Sequence, residues 1–248
     1  MKNIISLFTI LLSFNSYAII GGSSVPKNGI DYQIRINHLF SGTFIKHNFI
    51  LTTAHAFYFP KGIRDTKLSK DKKITITSSK IGKSVTFKIK NFFIHPKYNS
   101  AIQKYKDQGI ASSKSPDIAI IEVYPKKHLF SISSLSDSKI DLSKNVVITG
   151  AGCTKRASRL GLNNFQTKKF KYATVGPMDK FYKLGGNHRA LVTPKKNAKL
   201  CDGDSGGAVY QNSKIVAINS FFAKKLKKYF NFHVLIDDAR SWINQILR

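Results

Sequence analysis

The sequence predicts an all-β protein closed by one C-terminal helix. Three observations carry that expectation: short alternating or β-branched runs fill the chain beyond residue 18, turn residues separate them, and helical spacing of apolar residues appears only at the C-terminal end.

Residues 1–18 come first and stand apart. Lys2 supplies a positive charge, an apolar run extends from Ile4 to Phe14, and Ser16-Tyr17-Ala18 sets small residues where an export peptidase reads. This is the pattern of a cleaved signal peptide, and an uncleaved anchor is disfavoured because the apolar run is too short. No later stretch reaches membrane-spanning length, so a soluble mature chain, secreted or periplasmic, is expected. Strand-like runs follow at 32–37, 43–51, 74–77, 85–89, 118–123, 146–149, 208–210 and 215–220. Lysine-rich stretches at 61–73 and 100–115 read as surface loops. The least patterned connection, 125–141, gathers Ser, Asp and Lys and marks a linker, giving an N-terminal unit 19–128 and a C-terminal unit 129–248. At the end, Ile236, Ala239, Ile243, Ile246 and Leu247 recur at helical spacing behind Asp237 and Asp238, acids suited to a helix N-terminus.

The 248 residues include 41 Lys+Arg against 13 Asp+Glu, a formal charge of +28. Polyanions are natural neighbours of such a chain. Only seven of the basic residues are Arg, whereas base reading and bidentate phosphate recognition favour Arg. The lysine field therefore predicts salt-sensitive, non-specific association with anionic surfaces and no specific nucleic-acid recognition. A compositional bias toward Lys, Asn and Ile accounts for it equally well. Two cysteines, Cys153 and Cys201, in an exported chain predict one disulfide.

Three motifs carry chemistry, and their order matters more than any one of them. Leu51-Thr52-Thr53-Ala54-His55-Ala56 ends a strand in small residues around a histidine, and Pro116-Asp117-Ile118-Ala119-Ile120-Ile121 leads an acid into an apolar strand. Alone, each reads as a packed histidine and a turn aspartate. Cys201-Asp202-Gly203-Asp204-Ser205-Gly206-Gly207 is more specific, because glycines on both sides of a serine allow a sharp turn and close approach of a substrate carbonyl. The N–H groups of Gly203 and Ser205 are then candidate donors to a developing oxyanion.

With these motifs in this order the chain resembles the trypsin-like (chymotrypsin-fold) serine peptidase family over essentially its whole mature length. Further matches are Ile19-Ile20-Gly21-Gly22, His95-Pro96-Lys97-Tyr98-Asn99, Thr149-Gly150-Ala151-Gly152, Ser220-Phe221 and Ser241-Trp242-Ile243. The resemblance implies two antiparallel six-stranded β-barrels with the active site between them and a C-terminal α-helix. It implies a serine endopeptidase acting on polypeptide substrates, with His55, Asp117 and Ser205 as catalytic triad and Gly203 and Ser205 as oxyanion hole. Ser220 is implied as a hydrogen-bond partner of the Asp117 carboxylate. A freed Ile19 ammonium would pair with Asp204, and since Ile19 directly follows the expected signal cleavage point, no pro-segment is expected. No metal or organic cofactor is implied, and a monomer is expected. The short signal and sparse cysteines suggest a bacterial source.

Departures from the family are informative. The family's cysteine beside the catalytic histidine is Ala56 here, and Cys201 lacks its usual downstream partner, so the resemblance implies a Cys153–Cys201 bridge. The position resembling the floor of the primary specificity pocket is Lys199, which argues against cleavage after Lys or Arg. His233 matches another pocket position, and together with Lys199 it implies acceptance of Asp or Glu. In a competing reading Lys199 turns outward or pairs with Asp202, and Phe222, next to Phe221 on the substrate strand, plugs the pocket so that only small residues enter. A catalytically weak or inactive cationic binding protein on the same fold is the alternative function. An esterase is disfavoured because Gly-x-Ser-x-Gly esterases use an α/β sheet.

Overall fold

The computed structural model of the chain describes residues 19, 22–24, 33–57, 68–78, 84–98, 116–126, 130–152, 171–175, 181–183, 189–194, 199–225 and 228–248, with side chains at 24, 171–198 and 222–230 outside the description. The expected signal at 1–18, the loop 100–115 and most of the loop 61–73 lie outside the described residues.

Strands β1 (Ser23–Ser24), β2 (Gln33–Ile36), β3 (Phe40–Lys46), β4 (Phe49–Thr52), β5 (Lys73–Ser78), β6 (Ser84–Ile94) and β7 (Ala119–Val123) come first along the chain. All but β1 close into a six-stranded barrel in the order β2-β3-β4-β7-β6-β5. Alternation explains the closure. In β5, Ile74 and Ile76 are buried while Lys73 is exposed, and in β6 Phe87 and Ile89 point in while Lys88 and Lys90 point out. Those inward residues join Ile34, Ile36, Phe44, Ile50 and Ile121 in one core.

Strands β8 (Val146–Gly150), β9 (Lys171–Val175), β10 (Phe181–Lys183), β11 (Arg189–Pro194), β12 (Ala208–Gln211), β13 (Lys214–Lys225) and β14 (Lys228–Leu235) follow. With β1 they make an eight-stranded sheet ordered β1-β9-β8-β12-β13-β14-β11-β10. The two short end strands, β1 and β10, extend the expected six. Residues 23–24, assigned from sequence to the first unit, thus pair with Tyr172 and Lys171 in the second. Ile19, fully buried in the second core beside Val146, Ile148 and Leu200, anchors that crossing.

The expected run 43–51 is divided by a turn at His47 and Asn48, and the two halves, β3 and β4, pair as a hairpin. The terminal helix spans Ile236–Leu247 with Asp237 and Asp238 in its first turn. Among the described residues no helix is long and apolar enough to cross a membrane.

A third core cluster straddles both units. Ile45, Leu51, Ile118 and Ile120 of the barrel pack with Tyr210, Ile215, Ile236 and Ile243 of the second unit and the helix. Replacing Ile76 by Ala, which empties space at a fully buried barrel position, is expected to lower stability by about 2–5 kcal/mol. The urea midpoint should fall with its slope unchanged, while Lys73→Ala on the outer face of the same strand stays within about 0.5 kcal/mol.

Candidate active site

The antiparallel pairing of β4 with β7 sets Thr52 opposite Ala119, so the residues just past one strand lie beside those just before the other. His55 follows β4 in a short 3₁₀ turn, Ala54–Phe57, and Asp117 precedes β7. Ala54 and Ala56 are fully buried, which explains the small residues flanking the histidine. The Asp117 carboxylate accepts from the His55 main-chain N–H at 2.8 Å and meets the ring Nδ1 at 2.6 Å. Two bonds to one carboxylate fix both the backbone and the ring of His55. Phe40 packs edge-on against the other side of the ring, centroids 6.1 Å apart.

Ser220 reaches this carboxylate from the second unit, donating its hydroxyl to Asp117 at 2.6 Å. A β-bulge makes this possible. Between the pairs Asn219↔His233 and Phe221↔Phe232 strand β13 holds one residue more than β14, and the extra residue is Ser220. Bulges re-aim side chains in this way. Burial alone would raise the Asp117 pKa, but His55 and the three hydrogen bonds outweigh it and hold the group below its ordinary value. Burial would lower the His55 pKa, and the Asp117 charge and hydrogen bond overcome it, so the imidazole sits above its ordinary 6.5.

Ser205 lies in a segment clamped to the barrel. Its carbonyl accepts from Ser41 N–H at 2.8 Å, and the Ser41 hydroxyl donates to the Gly203 carbonyl at 2.8 Å. Gly203 and Gly206 adopt φ of +93° and +85°, which L side chains rarely tolerate. A side chain at 206 would also strike the Ser41 carbonyl and the Thr52 hydroxyl. The Ser205 hydroxyl donates to the Ser220 carbonyl at 3.0 Å, so in this structure it is turned toward Ser220 and not toward His55. Ser220 therefore meets the acid through its side chain and the serine through its main chain. Among the described residues nothing accepts from the N–H of Gly203 or Ser205, which leaves two main-chain donors open beside the hydroxyl.

Asp204 points the opposite way, into the second core. Its fully buried carboxyl accepts from the main-chain N–H of Gly152 at 2.8 Å, Cys201 at 2.8 Å and Ile19 at 3.2 Å. Burial raises its pKa to about 7 against the pull of those three bonds, with the exposed Asp202 adding a smaller push. Ile19 has φ of +48°, a strained value for a β-branched residue.

The other residues singled out from sequence distribute as follows. Phe221 stacks on Phe232, centroids 4.6 Å apart. Phe222 pairs with Asn231 in the sheet, its side chain lying outside the description. Lys199 is half-buried. His233 is fully buried with Nδ1 2.9 Å from Asn219 Oδ1, and burial lowers its pKa to about 3. It therefore carries no charge near neutrality, which weakens its share in the acid-accepting reading. Cys201 is buried and is not a free thiol; Cys153 lies outside the described residues.

Sequence reasoning passed over Ser41, Asn219 and Asn231. The last accepts from the Leu200 N–H at 2.9 Å, beside Lys199. Asn219 did carry a signal: a lone amide at the end of the apolar run Ile215-Val216-Ala217-Ile218.

A family model described as Trypsin matches residues 19–243. No curated protein matches the chain.

The raised Asp204 pKa sets a stability test. While Ile19 remains in peptide linkage, Asp204 ionises without an ammonium beside it, and the cost of burying its charge outweighs its three hydrogen bonds and the field of nearby Arg35. A folded pKa of about 7 above an unfolded 3.8 gives stability that is full below the lower value and lost as pH rises through the higher one. A form carrying an extra residue before Ile19 should thus lose stability between pH 4 and 7. A form starting at Ile19, with an ammonium to pair with the carboxylate, should not. Urea midpoints of the two forms across that range provide the check.

Proposed function

The chain belongs to the trypsin family, and we propose that it is a secreted serine endopeptidase using His55, Asp117 and Ser205. The observation that carries the reading is the run of hydrogen bonds from the His55 ring through Asp117 and Ser220 to the Ser205 hydroxyl, with distances of 2.6, 2.6 and 3.0 Å. In this reading the barrel unit supplies base and acid and the second unit the nucleophile, with the start of the chain at Ile19 and residues 23–24 joined to the second unit and not to the first.

The chemistry follows from these groups. A substrate carbonyl entering beside Ser205 competes for its hydroxyl, which turns from the Ser220 carbonyl toward the imidazole. The oxygen forms a bond to the carbonyl carbon while its proton passes to His55. The carbonyl electrons become an oxyanion that the N–H groups of Gly203 and Ser205 receive, donors without a partner among the described residues. Collapse breaks the carbon–nitrogen bond, and the proton leaves His55 for the departing amine. Water then repeats the sequence on the acyl-enzyme. Asp117 keeps the Nδ1 proton in place and stabilises the imidazolium in both halves.

Release of the chain at Ile19 is the activating step in this reading. The positive φ of Ile19 is a strain that exists only while residue 18 is attached, because a terminal residue has no φ. Cutting there removes the strain and gives Asp204 a cationic partner at the site of the present 3.2 Å contact. Signal removal alone suffices for it. A bridge from Cys201 to Cys153 is supported by the absence of a free thiol among the described cysteines. For specificity, uncharged His233 leaves Lys199 as the cation that would select Asp or Glu, against the small-residue reading that rests on Phe222.

The alternative, a catalytically weak cationic binder, draws on one observation. Lys70, Lys73, Lys88, Lys90 and Lys126 are exposed around β5 and β6, with Asp71 and Glu122 as acids among them.

Two measurements decide. A serine-directed phosphonate should label the form starting at Ile19 and fail on Ser205→Ala; a folded, processed protein that takes no label belongs with the binders. In active protein, kcat/KM should fall as pH drops through the His55 pKa, with the acid limb centred above 6.5. Asp117→Asn should cut kcat by roughly 10⁴-fold.

A further inference from the structure

Asn219 is fully buried and has a use for each of its hydrogen-bonding groups. Its main-chain N–H donates to the Gly207 carbonyl, and its carbonyl accepts from Gly206 N–H, both at 2.8 Å. Its side-chain amide donates to the Thr149 carbonyl at 2.7 Å and to the Asp204 carbonyl at 3.1 Å. One residue of β13 therefore ties both ends of the Asp204–Gly207 turn to its own strand and to the end of β8.

The bond to the Asp204 carbonyl bears directly on the site. That carbonyl and the Ser205 N–H belong to one planar peptide and point in opposite directions. Holding the oxygen fixes the aim of the N–H. Gly207 N–H also reaches this oxygen, at 3.0 Å, so the peptide is gripped by two donors.

His233 settles which way the amide faces. An amide turned by half a revolution would set its oxygen against the carbonyls of Thr149 and Asp204, acceptors meeting an acceptor. In the orientation present, Oδ1 lies 2.9 Å from His233 Nδ1, and because an amide oxygen only accepts, that nitrogen carries the proton. His233 sits directly across from Asn219 in the β13–β14 register. Deep burial keeps the ring neutral, so this donor stays in place across the working pH range.

We propose that Asn219, oriented by His233, is a positioning residue for the oxyanion hole, holding the 204–205 peptide so that the Ser205 N–H faces the reacting carbonyl oxygen. The inference rests on the peptidase reading above. It assigns His233 to the support of the nucleophile turn in addition to any contact with substrate.

The test uses full-length protein processed at Ile19, with active sites counted by phosphonate titration. Asn219→Val should lower kcat per titrated site on the order of 10- to 100-fold, less than the 10²–10³ of removing a donor outright. KM should move by less than about twofold, since the lost interaction strengthens only in the transition state. An unchanged kcat per titrated site, with the loss confined to yield or melting temperature, overturns the proposal and leaves the peptidase reading intact. Where Asn219→Val fails to fold, the His233 variants decide. His233→Leu should lower kcat, and His233→Gln, which keeps an N–H donor, should recover at least half of that loss on a logarithmic scale. Equal kcat in the two variants overturns the proposal. A folded, processed wild type with neither label nor turnover overturns the peptidase reading and this inference together.

Discussion

Three main-chain N–H groups, from Ile19, Gly152 and Cys201, converge on an Asp204 carboxyl that is sealed from water. They come from three separate stretches of chain, so this contact is where the N-terminal segment, the end of β8 and the turn carrying Ser205 are registered against one another. Space is part of the constraint. A side chain at Gly150 would collide with the Asp204 carboxyl, so β8 can end here only in a residue without one. Asp204 and Ser205 share a peptide bond, so the buried carboxyl and the proposed nucleophile are held by one short stretch of chain. A carboxyl this deep is held by hydrogen bonds and by charge compensation together, and the geometry of the turn depends on both.

The second constraint lies at the seam between the units. Ser41 donates its N–H to the Ser205 carbonyl and its hydroxyl to the Gly203 carbonyl, accepts from Ala151 N–H through that hydroxyl, and accepts from the Thr52 hydroxyl through its own carbonyl. Gly206 fits against the same residue without a side chain. The turn carrying Ser205 is thus pinned from the barrel through Ser41 and from the second sheet through Asn219. Ser220, aimed across the seam by its bulge, links Asp117 and Ser205 over the same gap. Such support from packed strands is what holds reacting groups to the tolerances catalysis requires.

Much of this was readable in the chain because the signals are local. The strand-like runs at 74–77 and 85–89 fall within β5 and β6, and the helical spacing of Ile236, Ala239 and Ile243 matches the buried face of the terminal helix. The stretches bearing His55, Asp117 and Ser205 were recognisable from the small residues, strand starts and glycines around them. What escaped were contacts set by tertiary register. The split of 43–51 depends on a tight turn at His47 and Asn48 within an otherwise strand-like run, which a β-branched pattern does not announce. The passage of residues 23–24 into the second sheet follows from burial of Ile19 in a distant core. Ser41 lies outside every strand-like run legible in the sequence, and the pairing of His233 with Asn219 is set by the β13–β14 register, which no local pattern carries.

The core shared by both halves has its own consequence. Ile45, Leu51, Ile118 and Ile120 find much of their cover on Tyr210, Ile215 and the terminal helix, and Lys46 reaches across to the last turn of that helix, bonding the Leu247 carbonyl at 2.8 Å. Each half covers apolar surface of the other, which couples their stabilities. A nick in the 125–141 connection would leave the halves associated. Loss of the last helical turns would expose apolar surface on both, making the extreme C-terminus a control point for the folding of a reactive centre far from it in sequence.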